Sequence, residues 1–86
     1  MNIPRISYAE ATDRHQIFVE FTDGSRKYYD VSPLLDREIF IPLRNIAFFK
    51  NFIVEPGGYA VSWNAEIDIS EFELWQHGQE LPKQSG

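Results

Sequence analysis

Apolar and polar residues alternate on both sides of one turn signal in QIFVEFTDGSRKYYD, residues 16–30. Alternation with a period of two marks a strand with one buried face. Asp23-Gly24 between the two runs predicts a two-residue hairpin turn, since a type I′ turn needs positive φ at both central positions. That turn would set Thr22 opposite Ser25, Phe21 opposite Arg26, Glu20 opposite Lys27, Val19 opposite Tyr28 and Phe18 opposite Tyr29. Ile17, Val19, Phe21 and Tyr28 then share the core face. Phe18 and Tyr29 fall on the outer face, where the expectation is that another part of the chain covers them. The alternative is an exposed apolar patch that serves a partner.

The same pattern, read along the rest of the chain, gives short elements. Residues 3–11, IPRISYAEA, form a first strand with Ile6 and Tyr8 on one side and Ser7, Ala9 and Ala11 on the other; Pro4 confines it to an edge or to a strand start. Ser32-Pro33 predicts a helical turn with Ser32 as cap and Pro33 at the first helical position. A phosphorylated Ser-Pro site is the sharper reading, and capping explains the pair without it. Ile39, Phe40, Ile41 and Leu43 form an apolar stretch broken by Pro42, hence a loop or short turn. Asn45 caps a helix of one or two turns over Ile46 to Lys50. FIVE (52–55) and YAVSW (59–63) are strands around the Pro56-Gly57-Gly58 turn, with Tyr59, Val61 and Trp63 sharing a face. Ile67 and Ile69 point inward from an extended piece. Ser70-Glu71-Phe72-Glu73 reads as a capping box opening a helix that Gly78 closes. Phe72 and Trp75 are the expected anchors of that helix, with Trp75 substantially buried.

Length confines this pattern to one domain: 86 residues, read as a single domain over 1–81 with a disordered tail at 82–86. Aromatic residues make up 15% of the chain and supply the core area that so short a chain otherwise lacks. There is no cysteine, which removes disulfides and thiolate metal sites and suits a reducing cytoplasm. No apolar run is long enough to span a bilayer, and MNIPRISYAEA lacks the apolar core of a signal peptide. A cytoplasmic location is therefore expected.

The net charge of −5 is unevenly distributed. Residues 1–54 hold seven acids and seven bases, whereas residues 55–86 hold six acids (Glu55, Glu66, Asp68, Glu71, Glu73, Glu80) and only Lys83. Nucleic-acid binding by this domain alone is disfavoured, because it needs a basic surface. A small basic protein partner is permitted by the acidic end.

No residue set carries a recognisable chemistry. His15 and His77 lack metal-ligand spacing and read as surface residues. Arg37 and Arg44 flank an aromatic-rich loop and would form an anion pocket if brought together, although solvated guanidinium groups are the default. Asp68, Glu71 and Glu73 cluster in sequence, but capping already explains the two glutamates, and acid/base catalysis needs an enclosing cleft. No Gly-rich loop, Ser/His/Asp order or HExxH is present. The chain is read as non-enzymatic, with no catalytic, cofactor-binding or metal residues and no cofactor.

YYDVSPLL, IFIPLRN, NFIV and AVSWNAEIDIS, in this order and spacing, resemble a family of short bacterial proteins catalogued as domain of unknown function 2442. Its pattern runs from an I-x-x-A-type strand through F-x-x-G, D-V-S-x-L-L and F-x-x-L to a late W-x-x-x-x-D-I; the resemblance covers about residues 3–75. Ala65 stands where that pattern has glycine. The resemblance implies a small α+β fold in a prokaryotic cytoplasm, as a stand-alone chain, beside small partner genes in toxin–antitoxin-like pairs, or fused to a helix-turn-helix domain. It supplies no catalytic residues.

Together these readings predict an α+β fold: a small antiparallel sheet of about five strands with two or three short helices packed on one face. The expected role is a protein-interaction module, the acidic neutralising member of a toxin–antitoxin-like pair. A homodimer is also allowed. The alternative role is an accessory ligand-binding or oligomerisation domain of transcriptional regulators.

Overall fold

The computed structural model describes residues 3–81. The expected tail at 82–86 lies outside the described residues. Among the described residues seven strands form two antiparallel sheets rather than one sheet of five. The first sheet has the order β1 (Ile6–Ala11), β2 (Gln16–Phe21), β3 (Arg26–Asp30) and β7 (Gln79–Glu80). The second has the order β4 (Ile53–Val54), β5 (Ala60–Ser62) and β6 (Asp68–Ser70). Two short α-helices, α1 (Ile46–Phe49) and α2 (Glu71–His77), and 3₁₀ turns at Ser32–Leu34 and Glu38–Arg44 complete the α+β arrangement. Strand β7 has no counterpart among the sequence expectations: GQEL lacks alternation, and only main-chain pairing with Tyr28 and Lys27 makes it a strand.

The β2–β3 hairpin differs from the expected one by a single residue. Phe21 pairs with Ser25, and its carbonyl accepts from Gly24 N–H at 2.9 Å. The loop therefore has three residues, a turn followed by Gly24 in the left-handed region (φ 88°), the usual alternative to the two-residue loop. Asp23 keeps negative φ, and its Oδ1 accepts from Ser25 N–H at 2.9 Å. Only one strained position is then needed instead of two. The shift makes Val19 face Lys27, Glu20 face Arg26 and Phe18 face Tyr28. A one-residue slip moves every side chain of one strand to its other face. Tyr29 is accordingly a core residue at 5% exposure, while Tyr28 is on the outer face.

A second irregularity reverses Tyr8. The β1–β2 register shifts between Ile6 and Tyr8, and a bulge of this kind re-aims the residues on one side of it. Ile6 is buried, Ala9 and Ala11 pack on the core, and Tyr8 is solvent-exposed. Ile6 and Tyr8 thus face opposite ways, contrary to strict alternation.

The core lies between the inner face of the first sheet and the remaining elements. Ile6, Ile17, Val19, Phe21 and Tyr29 meet Val31, Leu43, Phe49, Val61, Ile67, Ile69 and Leu74. Ile67 and Ile69 point inward as the pattern indicates. Tyr59 does not join Val61; its exposed ring lies under the Arg5 guanidinium, 4.3 Å from carbon to ring centroid. Asn45 caps α1 as expected, its Oδ1 accepting from Phe48 N–H at 3.1 Å. At Ser32 the capping expectation fails: the 3₁₀ turn carries no side-chain cap, and Asp30 Oδ1 instead accepts from Ser32 N–H at 3.0 Å.

Helix α2 keeps half of its expected capping box. Ser70 Oγ accepts from Glu73 N–H at 3.2 Å. The Glu73 carboxylate accepts from the Tyr29 hydroxyl at 2.8 Å, so it serves tertiary docking rather than the return arm of the box. Leu74, fully buried, anchors the helix; Phe72 is 52% exposed and Trp75 half-buried against Phe21. Gly78 closes the helix with extended φ of −70°, so conformational freedom is not its purpose. A Cβ there would lie 2.4 Å from Leu74 O and 3.1 Å from the Lys27 stem. The Leu74 carbonyl is what requires glycine here, and the Lys27 stem of β3 tightens the same spot.

Burial and the Glu73 acceptor both hold the Tyr29 phenol well above its ordinary pKa of 10.0. The raised value is a property of the folded state, so the unfolded chain releases this proton first. The associated stability is complete below about pH 10 and declines as pH rises through and beyond that value. Urea midpoints should therefore fall more steeply above about pH 10 in the wild type than in Tyr29→Phe. At neutral pH the Phe variant should lose about 1 kcal/mol with the hydrogen bond. Parallel slopes for the two proteins would remove Tyr29 from the alkaline transition.

Candidate functional site

The two irregularities in the first sheet build one surface. On its outer face the hairpin shift leaves Tyr28 beside Phe18, and the bulge adds Tyr8. Their rings form a ladder across three strands, edge to face, with centroids 6.3 Å apart for Tyr8–Phe18 and 5.6 Å for Phe18–Tyr28. Tyr8 is 48% exposed and Tyr28 36%. Among the described residues none closes over Tyr8 and Tyr28, contrary to the expected cover, and Tyr28 holds the outer position expected of Tyr29, which is buried.

Charge on this face is asymmetric. Alternation places Glu10, Glu20, Arg26 and Asp30 on the same side as the ladder, and Glu20 opposes Arg26. Glu10 Oε2 accepts from the Tyr8 hydroxyl at 3.0 Å; this carboxylate also raises the Tyr8 phenol pKa, first through that hydrogen bond and then through its charge. At the end of the ladder Lys50 pairs with Asp13 and holds the Asp13 carboxyl below its ordinary range. A shallow groove lies here, lined by Glu10, Ala11, Thr12, Asp13, Phe18, Tyr28 and Lys50. Its floor is aromatic, and Glu10 is the one lining carboxylate without a cationic partner among the described residues.

The acids bordering the ladder come from the charge-balanced residues 1–54, not from the acidic last third. Two acids of that last third are engaged internally. Glu71 pairs with Arg5 at 2.9 Å, and Glu73 receives Tyr29 and stands 3.9 Å from His77. Glu71 and Glu73 are thus directed to different partners, while Asp68 lines the same groove as Glu73.

The other sequence candidates separate as well. His15 is not a simple surface residue: it adopts φ of 58°, and its ring packs on Phe49 with centroids 5.0 Å apart. Its Nε2 lies 2.8 Å from the Leu43 carbonyl; a carbonyl only accepts, so Nε2 carries the hydrogen. His15 ties the β1–β2 turn to the 3₁₀ segment. Arg37 and Arg44 are not joined in one pocket. Arg44 donates to the Leu35 carbonyl at 2.9 Å and to Asp36 at 3.3 Å. Arg37 lines a different groove, in company with Asp68, Glu73 and His77, whose carboxylates oppose anion binding. Among the described residues no group of three or more metal-ligating side chains is placed to hold a metal ion. None of their helices is long and apolar enough to cross a membrane.

Fold and surface together define a small α+β protein with an open, aromatic sheet face. The chain belongs to the family described as "protein of unknown function (DUF2442)", whose model matches residues 6–80. No curated protein and no solved structure matches it.

Proposed function

We propose that the chain is a non-enzymatic protein-interaction module working through the outer face of β1, β2 and β3. In this reading it is the acidic, neutralising member of a two-component pair whose other member is a small basic protein in the cytoplasm. The observation that carries the reading is the Tyr8–Phe18–Tyr28 ladder, left open to solvent on a rigid sheet. Aromatic side chains are the usual anchors of protein interfaces, because they bury much area at small entropic cost. A polar, net-acidic border adds attraction for a basic partner and speeds encounter.

The test uses the intact chain as bait in lysate of its source cell, with a Tyr8→Ser/Tyr28→Ser double variant beside it. Both residues are exposed, so the melting temperature should stay nearly unchanged. The wild type should retain a stoichiometric small basic protein in at least one growth state, and the double variant should retain at most about a tenth as much. Equal capture by the two baits, or no stoichiometric partner in any growth state, would reject the reading.

A further inference from the structure

We propose that the groove at the end of the aromatic ladder receives an arginine side chain of the partner; this rests on the interaction reading above and names what the surface recognises. The argument begins with the floor. Phe18 and Tyr28 are cross-strand neighbours, and their rings meet edge to face at 5.6 Å. Both rings line the groove and give it an aromatic surface. Carbon surface of this kind favours a planar, weakly hydrated cation over a compact, strongly hydrated ammonium.

The walls select charge. Glu10 and Asp13 stand on the rim, and among the described residues Lys50 is the one cation that lines the groove. Lys50 is paired with Asp13, which leaves Glu10 as the uncompensated group. Its Oε2 already accepts from Tyr8; its Oε1 retains acceptor capacity. A guanidinium stacked on the floor would donate to Glu10 along its rim while its remaining N–H groups face water. Across the whole face the acids Glu10, Asp13, Glu20 and Asp30 outnumber the bases Arg26 and Lys50, so an approaching basic segment is attracted before it docks. An acidic segment meets the reverse field, and a purely apolar one leaves Glu10 desolvated without a partner, at a cost.

The probe is the octapeptide acetyl-(Arg-Thr)₄-amide, titrated into the ¹⁵N-labelled full chain at low salt, with the Lys-Thr and Glu-Thr peptides beside it. The arginine peptide should shift the amides of Ala11, Phe18 and Tyr28 saturably, and the lysine peptide should bind about two- to fivefold more weakly. Glu10→Gln and Tyr28→Ser should each weaken the arginine peptide by about two- to fivefold. These side chains are exposed, and an unchanged amide spectrum elsewhere certifies the fold of each variant. Three results would overturn the proposal: no saturable shift in the groove, shifts centred on Glu66 and Asp68 instead, or binding indifferent to both substitutions. A silent groove together with partner capture that still depends on Tyr8 and Tyr28 removes the arginine but keeps the interaction face. Loss of that dependence removes the face itself.

Discussion

Leu74→Ala is expected to cost about 3 kcal/mol, the larger of the two effects that truncation of α2 can produce. The helix has seven residues, Glu71–His77, well below the length at which helices persist alone in water. It exists because it docks. Leu74 is the one α2 residue at 0% exposure, and it sits in the same cluster as Phe21, Tyr29 and Ile69. Removing its side chain leaves a void bounded by two sheets, and strands held by ladders collapse poorly into such a space. Trp75 contributes differently. Its ring meets Phe21 edge-on at 5.1 Å and carries the Lys27 ammonium 4.2 Å from its centroid, but one side stays in solvent. Trp75→Ala should therefore cost less, about 1–2 kcal/mol. Paired urea melts of the two variants decide the order. A larger loss for Trp75→Ala would make the tryptophan, not the leucine, the point of attachment. For a domain of this size the Leu74 loss is a large share of total stability, so its melting temperature should also drop by more than ten degrees or so.

That pair of residues illustrates how far the fold was legible. Strand positions followed from alternation, and α1 and the start of α2 followed from Asn45 and Ser70, because these signals act over three or four residues. The α+β class was legible for the same reason. Facing was not. Asp23-Gly24 is compatible with a two-residue and a three-residue loop, and the choice between them exchanged Tyr28 for Tyr29 in the core. The bulge near Ser7 did the same for Tyr8. In both places the local sequence allows two registers, and what chooses between them is tertiary: Tyr29 gains the Glu73 acceptor, and the start of β1 is held by Gly58. Leu74 was overlooked as anchor because Phe72 and Trp75 are larger, yet size does not decide which side of a short helix faces the sheet. The candidate surface was half-legible. An outer aromatic pair was foreseen on the hairpin, but its membership and its openness depended on the two registers. The acidic bias of the last third pointed elsewhere, since Glu71 and Glu73 are spent on Arg5 and Tyr29.

Gly58→Ala should destabilise the protein by about 3 kcal/mol or more, although it adds a single methyl group. Two costs combine. Gly58 has φ of 74°, and an L-residue held there loses roughly 1–2 kcal/mol against glycine. The new Cβ would also lie 2.3 Å from Ile6 O and 2.8 Å from Ile6 N. Those are backbone atoms of β1, which cannot turn aside as a side chain does. Relief requires β1 to retreat, breaking the 3.0 Å bond from Ile6 N–H to the Gly58 carbonyl and loosening Ile6 in the core. Gly57 provides the contrast. Its φ is similar at 86°, but the atoms nearest its Cβ all belong to the Tyr59 ring, a side chain 52% exposed that can turn aside where backbone cannot. Gly57→Ala should thus show the conformational cost alone, about 1–2 kcal/mol. Urea unfolding of both variants, with amide exchange at Ile6 as the local readout, separates the two contributions. Exchange at Ile6 should accelerate only in Gly58→Ala. Equal losses at the two positions would mean that the turn's φ values, and not the approach of Gly58 to β1, fix where the first strand begins. Because Tyr8 lies two residues beyond that contact, a loosened β1 should also blunt the aromatic ladder, and Gly58→Ala should then weaken the partner binding proposed for that face although it replaces none of the face's own residues.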